Sequence, residues 1–431
     1  MKCRIKKRGV VLSNMIAEIL ATGDEIRSGA LIDSNSAHIA QQLEEAGVEV
    51  IRHSCTGDDL DVLASILREI GDRSDIAVVT GGLGPTADDL SAEAAATATG
   101  VDLVLDNKAL GWVEEAFEKR KWPMSESNKK QAVLPEGAEP LYNPVGTAPG
   151  FLLKIGRCSF FFLPGVPFEM RRMISDTVLP RLIKMQGNHR EFHLSRTITT
   201  FGLGEASTNE RLAGLTERFP GIKLGLRAKF PEIHIKFYVC GNDEGVLKKM
   251  MEEGAEWIAQ KMGNNVISPQ GASMEAVVGN LLNQKKATVA VAESCTGGLV
   301  SHWLTNVPGS SDYFLFSGVT YSNQAKIDVL GVSSETLKEF GAVHEETAKE
   351  MADRVRRISG ATYGLSTSGI AGPGGGTSEK PVGTICVGLA TPSAVEGHWF
   401  GFPFKRRSRN KQIFAMTALD LLRRELMNDG S

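Results

Sequence analysis

Apolar, β-branched runs and amphipathic helical stripes alternate over the first hundred residues, and that alternation admits few folds. Ile16 to Ala21 reads as a strand, residues 34–46 as a helix with Ile39, Leu43 and Ala46 on one stripe, and Val48 to Ile51 as a second strand. Residues 58–70 repeat the helical pattern through Leu60, Leu63, Leu67 and Ile70. Asp75 to Thr80 then gives a third strand, followed by a glycine-rich turn and an alanine-rich helix near 88–99. Strands joined by helices over short connections lie parallel, so the expected fold is a doubly wound α/β sheet. Ligands of such a sheet sit outside the carboxyl ends of its strands, where Thr22 to Glu25 and Gly81 to Asp89 fall.

The chain of 431 residues is too long for one core. Residues 1–14 are read as a disordered extension or a misplaced start, and 15–170 as the first α/β domain. Residues 171–265 carry strand-like segments at Arg196 to Phe201 and Glu232 to Cys240, and read as a small α+β connecting module. The cluster Ser268-Pro269-Gln270-Gly271 marks a boundary. A second α/β domain follows over 266–428, with strand candidates at 287–292, 314–321, 363–370, 383–390 and 397–402. Its helical stripes are Ala348, Met351, Val355 and Ile358, then Ala415, Leu419, Leu422 and Leu426.

A net charge of −3 gives no bulk attraction to nucleic acid or membrane, and the lack of an aromatic-basic stripe argues against direct nucleic-acid binding. No apolar run approaches the roughly 18 residues of a membrane span. Six scattered cysteines without a CxxC pair fit a reducing cytoplasm rather than a disulfide framework or zinc cluster. Lys405-Arg406-Arg407-Ser408-Arg409-Asn410-Lys411 is either a solvated helix start or a seat for an anion.

The densest chemical signal is Ala292-Glu293-Ser294-Cys295-Thr296-Gly297-Gly298, placed between a β-branched run and a helical pattern. A serine at a strand-to-helix turn presents its hydroxyl, and the N–H groups of Thr296, Gly297 and Gly298 are candidates for an anion hole. The plain alternative is a helix cap. Tyr321 ends a strand and Lys326 follows it, so both are placed to face the cleft of Ser294, although each alone also reads as a packed aromatic and a surface cation. No Ser-His-Asp set accompanies them, since His302 lies on the following helix and His344 in a loop. A lysine whose pKa is lowered by burial serves as a base instead. The loop Gly372, Gly374, Gly375, Gly376 and Thr377 leaves amides bare for a phosphate, or is a plain turn. Cys295 reads as a small buried residue.

In the first domain, Thr22-Gly23-Asp24-Glu25, Thr80 to Asp89, Asn143 to Gly150 and Leu163 to Met170 gather acids and glycines at strand ends without GxGxxG. Bare amides beside carboxylates suit pyrophosphate chemistry with a divalent cation. The candidate phosphate and substrate residues are Gly81, Gly82, Gly84, Thr86, Asn143 and Thr147. Asp24, Asp88, Asp89 and Glu169 are the candidate metal ligands, although Asp88-Asp89 also reads as an acid pair favoured by a helix dipole.

Ala-Glu-Ser-Cys-Thr-Gly-Gly, Thr-Tyr-Ser-Asn-x-Ala-Lys and Ser-Gly-Ile-Ala-Gly-Pro-x-Gly-Gly resemble the CinA family of competence/damage-inducible proteins. The resemblance implies that the C-terminal domain is a nicotinamide mononucleotide deamidase needing no cofactor. It implies that Ser294 is the nucleophile, activated by Lys326 and Tyr321, with the glycine loop and a basic residue near Arg406 holding the nucleotide. His344 departs from the small residue, such as serine, expected in Gly-Ala-Val-x-Glu. Residues 15–170 resemble the molybdopterin-binding (MoaB/MoeA-like) fold, which in CinA proteins is associated with a metal-dependent ADP-ribose pyrophosphatase. The same fold also binds molybdopterin, and a non-catalytic partner in competence or DNA repair is a third reading. A homodimer is implied by the family alone.

Overall fold

The computed structural model describes residues 15–187 and 192–428, so the extension expected at 1–14 lies outside the described residues. The chain divides into two compact units, one of residues up to 194 with 240–247, the other of 195–239 with 248 onward. In the first, the strands are β1 Ile16–Thr22, β2 Glu49–Thr56, β3 Ile76–Thr80, β4 Leu103–Leu105, β5 Val133–Pro135, β6 Glu139–Leu141, β7 Gly150–Ile155 and β8 Cys158–Leu163. Six of them form a sheet of order β2-β1-β3-β8-β7-β6, with β4 and β5 paired separately. β2, β1, β3 and β8 are parallel, as the alternation requires.

The other two strands depart from the parallel expectation. β7 and β6 run antiparallel on one edge, because β7 turns directly into β8 after Ile155. Gly156 makes that turn at φ 60°, where a Cβ would stand 2.8 Å from the Gly71 carbonyl oxygen.

Side chains alternate across this sheet, as a strand's two-residue period demands. Leu20, Val79, Phe160 and Phe162 face Leu63, Leu67 and Ile70 of the helix Leu60–Arg73. Ala17, Ile19, Val78 and Phe161 face Ile39 and Leu43 of the helix Ser34–Glu45. Each large side chain so buried contributes roughly 1.5–3 kcal/mol of transfer free energy. Met170, Met173, Ile174, Val178 and Leu182 belong to this second face. Residues 171–186, expected to open the connecting module, therefore complete the first domain. Their apolar spacing covers a sheet face that the helix Ser34–Glu45 covers only in part.

The second unit begins with β9 Phe192–Thr200, β10 Lys223–Lys229, β11 Glu232–Gly241 and β12 Val266–Ser268, a sheet of order β10-β11-β9-β12. Its last five strands are β13 Val289–Glu293, β14 Phe314–Val319, β15 Tyr363–Gly369, β16 Thr384–Ala390 and β17 Val395–Gly401, in the order β14-β13-β15-β16-β17. The first three of that order are parallel and the last three antiparallel. Val289 and Val291 face Val278, Leu282, Phe414 and Leu419, while Ala290 and Ala292 face Met351 and Val355. The stripe expected on the helix Glu345–Ser359 ends early, because Ile358 at its last turn is 53 % exposed. The helix Arg407–Asn428 exceeds its expected single stripe, since every residue from Ile413 to Leu419 is buried.

Candidate active site and a strand-end cavity

Ser294 is the first residue beyond β13, in the turn that leads to the helix Leu299–Thr305. Its amide donates to the Thr367 carbonyl at 2.9 Å, which ties the turn to the adjacent strand β15. Glycine is required where the turn reverses, with Gly297 at φ 59° and Gly298 at φ 89°. Glu293 locks the same turn from below. Its fully buried carboxylate accepts from the Thr296 hydroxyl at 2.7 Å, the Val300 amide at 3.2 Å, and the Ser301 amide and hydroxyl at 2.9 and 2.5 Å. A carboxylate at a helix N-terminus satisfies otherwise unpaired donors, and here it fixes where the strand ends and the helix starts.

Lys326 comes from the next crossover. β14 ends at Val319, the Ser322 hydroxyl caps the helix Asn323–Leu330, and Lys326 lies one turn inside it with no exposed surface. Its Nζ lies 3.2 Å from Ser294 Oγ, 2.9 Å from the Thr320 carbonyl oxygen and 3.4 Å from the Tyr321 carbonyl oxygen. Burial pulls its pKa below the ordinary 10.5, with no carboxylate beside it to restore the charge. A neutral amine has two N–H groups and one lone pair. The two carbonyls occupy the first, and the lone pair is left for the serine hydroxyl.

Tyr321 is placed differently from the expectation. Its backbone carbonyl touches Lys326, but its ring is 59 % exposed and its hydroxyl accepts from Arg407 Nη2 at 2.7 Å. The aromatic ring thus belongs to the mouth of the site, not to the serine. Arg406 and Arg407 are both exposed, and it is Arg407 that also donates to the Gly372 carbonyl at 2.9 Å. Asn410 fixes the same loop by donating to Ala371 and Phe404 carbonyls at 3.0 and 2.9 Å. One helical turn beyond Arg407, the Lys411 Nζ lies 3.3 Å from where a Cβ on Gly297 would stand. Arg407, Asn410, Lys411 and Glu293 were not assigned from sequence. The i, i+4 spacing of Arg407 and Lys411 was the available signal for those two.

Two expected contributors have other duties. The Gly297 amide donates to the Ser294 carbonyl at 3.1 Å, so it shapes the turn rather than an anion hole. The Thr296 hydroxyl bonds Glu293 and Thr367, which fixes the turn that carries its amide. Thr377 closes its own turn through the Lys380 backbone, while Gly374, Gly375 and Gly376 form an exposed arch beside it. Cys295 is buried, and burial pushes its thiol up to about 12, which suits packing and not nucleophilic attack. His344 explains its own departure: Nδ1 accepts from the Glu346 amide at 3.1 Å, doing the capping work of a serine.

In the first unit, a cavity of about 440 Å³ opens at the carboxyl ends of β1 and β3. Thr22, Gly81, Gly82, Gly84, Asp88, Asp89, Thr147 and Glu169 line it, as the strand-end reading requires. Thr22 Oγ1, Asn35 Oδ1 and Gln131 Oε1, from lining residues, are buried without a hydrogen-bond partner. Asp58, which the sequence did not single out, also lines the cavity; its pKa is raised by burial, with Asp24, Glu25 and Asp88 adding repulsion.

The metal expectation fares less well. The Asp24 carboxylate pairs with Arg27 at 2.9 Å, and Asp24 is not among the lining residues. Asp89 accepts from the Thr86 amide at 2.9 Å and from its hydroxyl, and Glu169 accepts from Asn143 Nδ2 at 2.7 Å. Asn143 Oδ1 accepts from the amides of Val145 and Gly146, so Asn143 organises its loop instead of facing a ligand. Among the described residues no three acidic, histidine or cysteine side chains converge as a metal cage. These donors, as placed, do not fit a resident ion.

Comparison with known proteins covers nearly all of this architecture. Residues 18–184 match the family model described as a probable molybdopterin binding domain, 195–268 the damage-inducible protein CinA KH domain, and 271–426 the CinA C-terminal domain. A CinA-like protein of Desulfosudis oleivorans is 54 % identical over 413 residues, covering 96 % of this chain and all of its own length. The chain belongs to the CinA family. A CinA-like protein of Geobacter metallireducens is 41 % identical over 415 residues, again covering 96 % of this chain and all of that relative. Among solved structures, the competence/damage inducible protein CihA of Agrobacterium tumefaciens is 37 % identical, with a TM-score of 0.34. That match covers 36 % of this chain and 96 % of CihA. As in the sequence reading, the CinA C-terminal match coincides with the domain that holds Ser294 and Lys326. No helix among the described residues is long and apolar enough to cross a membrane.

Proposed function

We propose that the C-terminal domain is a serine amidase that converts nicotinamide mononucleotide to nicotinate mononucleotide and ammonia. The observation that carries this reading is the 3.2 Å approach of a fully buried, carboxylate-free Lys326 Nζ to Ser294 Oγ. Ser294 Oγ attacks the carboxamide carbon as its proton passes to the Lys326 lone pair. The lysine returns that proton to the departing amide nitrogen, which leaves as ammonia and an ester on Ser294. Water attacks the ester with Lys326 again taking the proton, and the acid is released. Arg407 and Lys411, beside the glycine loop and the nucleophile turn, supply positive charge for the 5′-phosphate. Tyr321 serves the mouth through Arg407. The test is ammonia release by purified protein, which Ser294→Ala should abolish. Unchanged turnover in that variant overturns the reading.

For the N-terminal domain we infer binding of a phosphorylated small molecule in the 440 Å³ cavity, supported by unpartnered Asn35 Oδ1 and Gln131 Oε1, which would accept from its hydroxyl or amino groups, and by the unpartnered Thr22 hydroxyl. ADP-ribose hydrolysis is the favoured activity. AMP formed from ADP-ribose with an added divalent metal supports it, whereas copurified pterin and no AMP favour a molybdopterin-binding module. The same reading takes the protein as a cytoplasmic homodimer, checked by light scattering and fractionation.

A further inference from the structure

The connecting sheet and the C-terminal domain meet within one unit, and they meet beside the amidase mouth. The hairpin of β10 and β11 turns at Phe230-Pro231, between Lys229 and Glu232. The Phe230 ring stands edge-on to Phe404, with centroids 5.0 Å apart and planes at 84°. The Arg409 guanidinium lies 5.2 Å from the centre of the same ring. Phe230 packs against the same core that contains Phe414 and Ala371.

What these two partners lead to is the substrate side of the site. The Phe404 carbonyl accepts from Asn410, whose amide also holds Ala371 at the start of the glycine loop. Arg407, Arg409 and Lys411 follow at i, i+2 and i+4 on the helix Arg407–Asn428. At about 100° per residue, Arg407 and Lys411 share one face and Arg409 points from the opposite one. The first face holds Tyr321, Gly372 and the Gly297 turn, and the second is gripped by Phe230. An aromatic edge contact and a cation over a ring each favour one geometry, and together they bias a short basic segment.

We propose that the tip of the β10–β11 hairpin is a positioning element for phosphate recognition, with Phe230 setting Arg407 and Lys411 through Arg409, Phe404 and Asn410. The proposal rests on the amidase reading for its substrate. It gives the connecting module a part in the C-terminal site, and it separates phosphate binding from chemistry at Ser294.

The experiment uses the full chain and compares Phe230→Ala with Phe230→Trp, which restores a ring. Phe230→Ala should raise KM for nicotinamide mononucleotide about tenfold with kcat within about twofold, a change of roughly 1.4 kcal/mol in binding. Nicotinamide riboside, which lacks the phosphate, should show unchanged kcat/KM, and that result also shows an intact Ser294–Lys326 pair. Phe230→Trp should recover most of the KM. An unchanged KM, or equal losses on mononucleotide and riboside, overturns the proposal. Should the wild type release no ammonia, the amidase reading fails by itself, and calorimetric Kd for nicotinate mononucleotide still tests the hairpin. A Kd weakened by Phe230→Ala supports it, an unchanged Kd overturns it, and no binding to the wild type overturns both.

Discussion

The two candidate sites occupy equivalent positions in their sheets, just past the carboxyl ends of parallel strands, yet they are built in opposite ways. Around Ser294 the polar groups converge: Glu293, Thr296, Ser301 and Thr367 hold the turn, and Lys326 is directed at one oxygen. In the N-terminal cavity Asp89 and Glu169 are engaged with local partners, Asp58 lies near other carboxylates, and Thr22, Asn35 and Gln131 keep unpartnered atoms. The first site needs a substrate only to fill it. The second keeps polar atoms open towards its cavity. A preorganised nucleophile has to be held before substrate arrives.

That contrast breaks most readily at the nucleophile. Ser294→Ala and Lys326→Met should each lower kcat for ammonia release on the order of 10³-fold or more, since members of a catalytic unit fail together. Their double variant should be no worse than either alone. Lys326→Met carries a second, opposite signature in stability. Because burial lowers the folded-state pKa of Lys326, the unfolded chain binds the proton more tightly. The wild type therefore gains stability as pH rises from the lowered pKa toward 10.5, and carries the full penalty below that window. Replacing the amine by a thioether should remove the penalty and raise Tm at neutral pH, read from thermal unfolding of the two proteins. In the wild type kcat/KM should rise with pH as the lysine loses its proton.

Glu293→Ala sharpens the comparison by removing the carboxylate that organises the turn. It leaves the Val300 and Ser301 amides unpaired, at about 1–3 kcal/mol for each lost partner. Both Tm and kcat should fall, whereas an equivalent change at Asp24, whose carboxylate is exposed, should leave Tm within experimental scatter. In the N-terminal cavity, Asp58→Asn removes a carboxylate whose pKa is raised by burial and acidic neighbours. That pKa lies above the ordinary value, so the group stabilises the fold most at low pH and the contribution is lost as pH rises through the raised pKa. The variant should thus be the more stable protein at neutral pH by a small margin, read from thermal unfolding at two pH values. Cys295→Ala is the smallest expected effect: a modest loss of Tm from a buried methylene-sized cavity, with ammonia release retained.

Much of this was legible in the sequence because two periodicities carry it. The alternation of β-branched runs and helical stripes places Thr22, Gly81 and Ser294 at strand ends, and a strand-to-helix serine beside Tyr321 and Lys326 suggests the pair that forms. What the sequence left out depends on contacts distant in the chain. Residues 171–186 look like part of a new module until Met173, Ile174, Val178 and Leu182 meet Phe161 and Leu163. Arg407 displaces Arg406 because helix phase, invisible within a run of cations, decides which one meets Tyr321. Asp58 gains its character only from Asp24, Glu25 and Asp88 brought near it by the fold. The candidate metal ligands were clustered by motif, and local turns then claimed Asp89 and Glu169.

A covalent acyl-enzyme on Ser294 is visible to intact-protein mass spectrometry. Protein quenched during turnover of nicotinamide mononucleotide should carry an adduct equal to the substrate less ammonia, located on the peptide containing Ser294 and lost in Ser294→Ala. Full turnover without that adduct in a Ser294→Ala protein, or an adduct on Cys295, would contradict it.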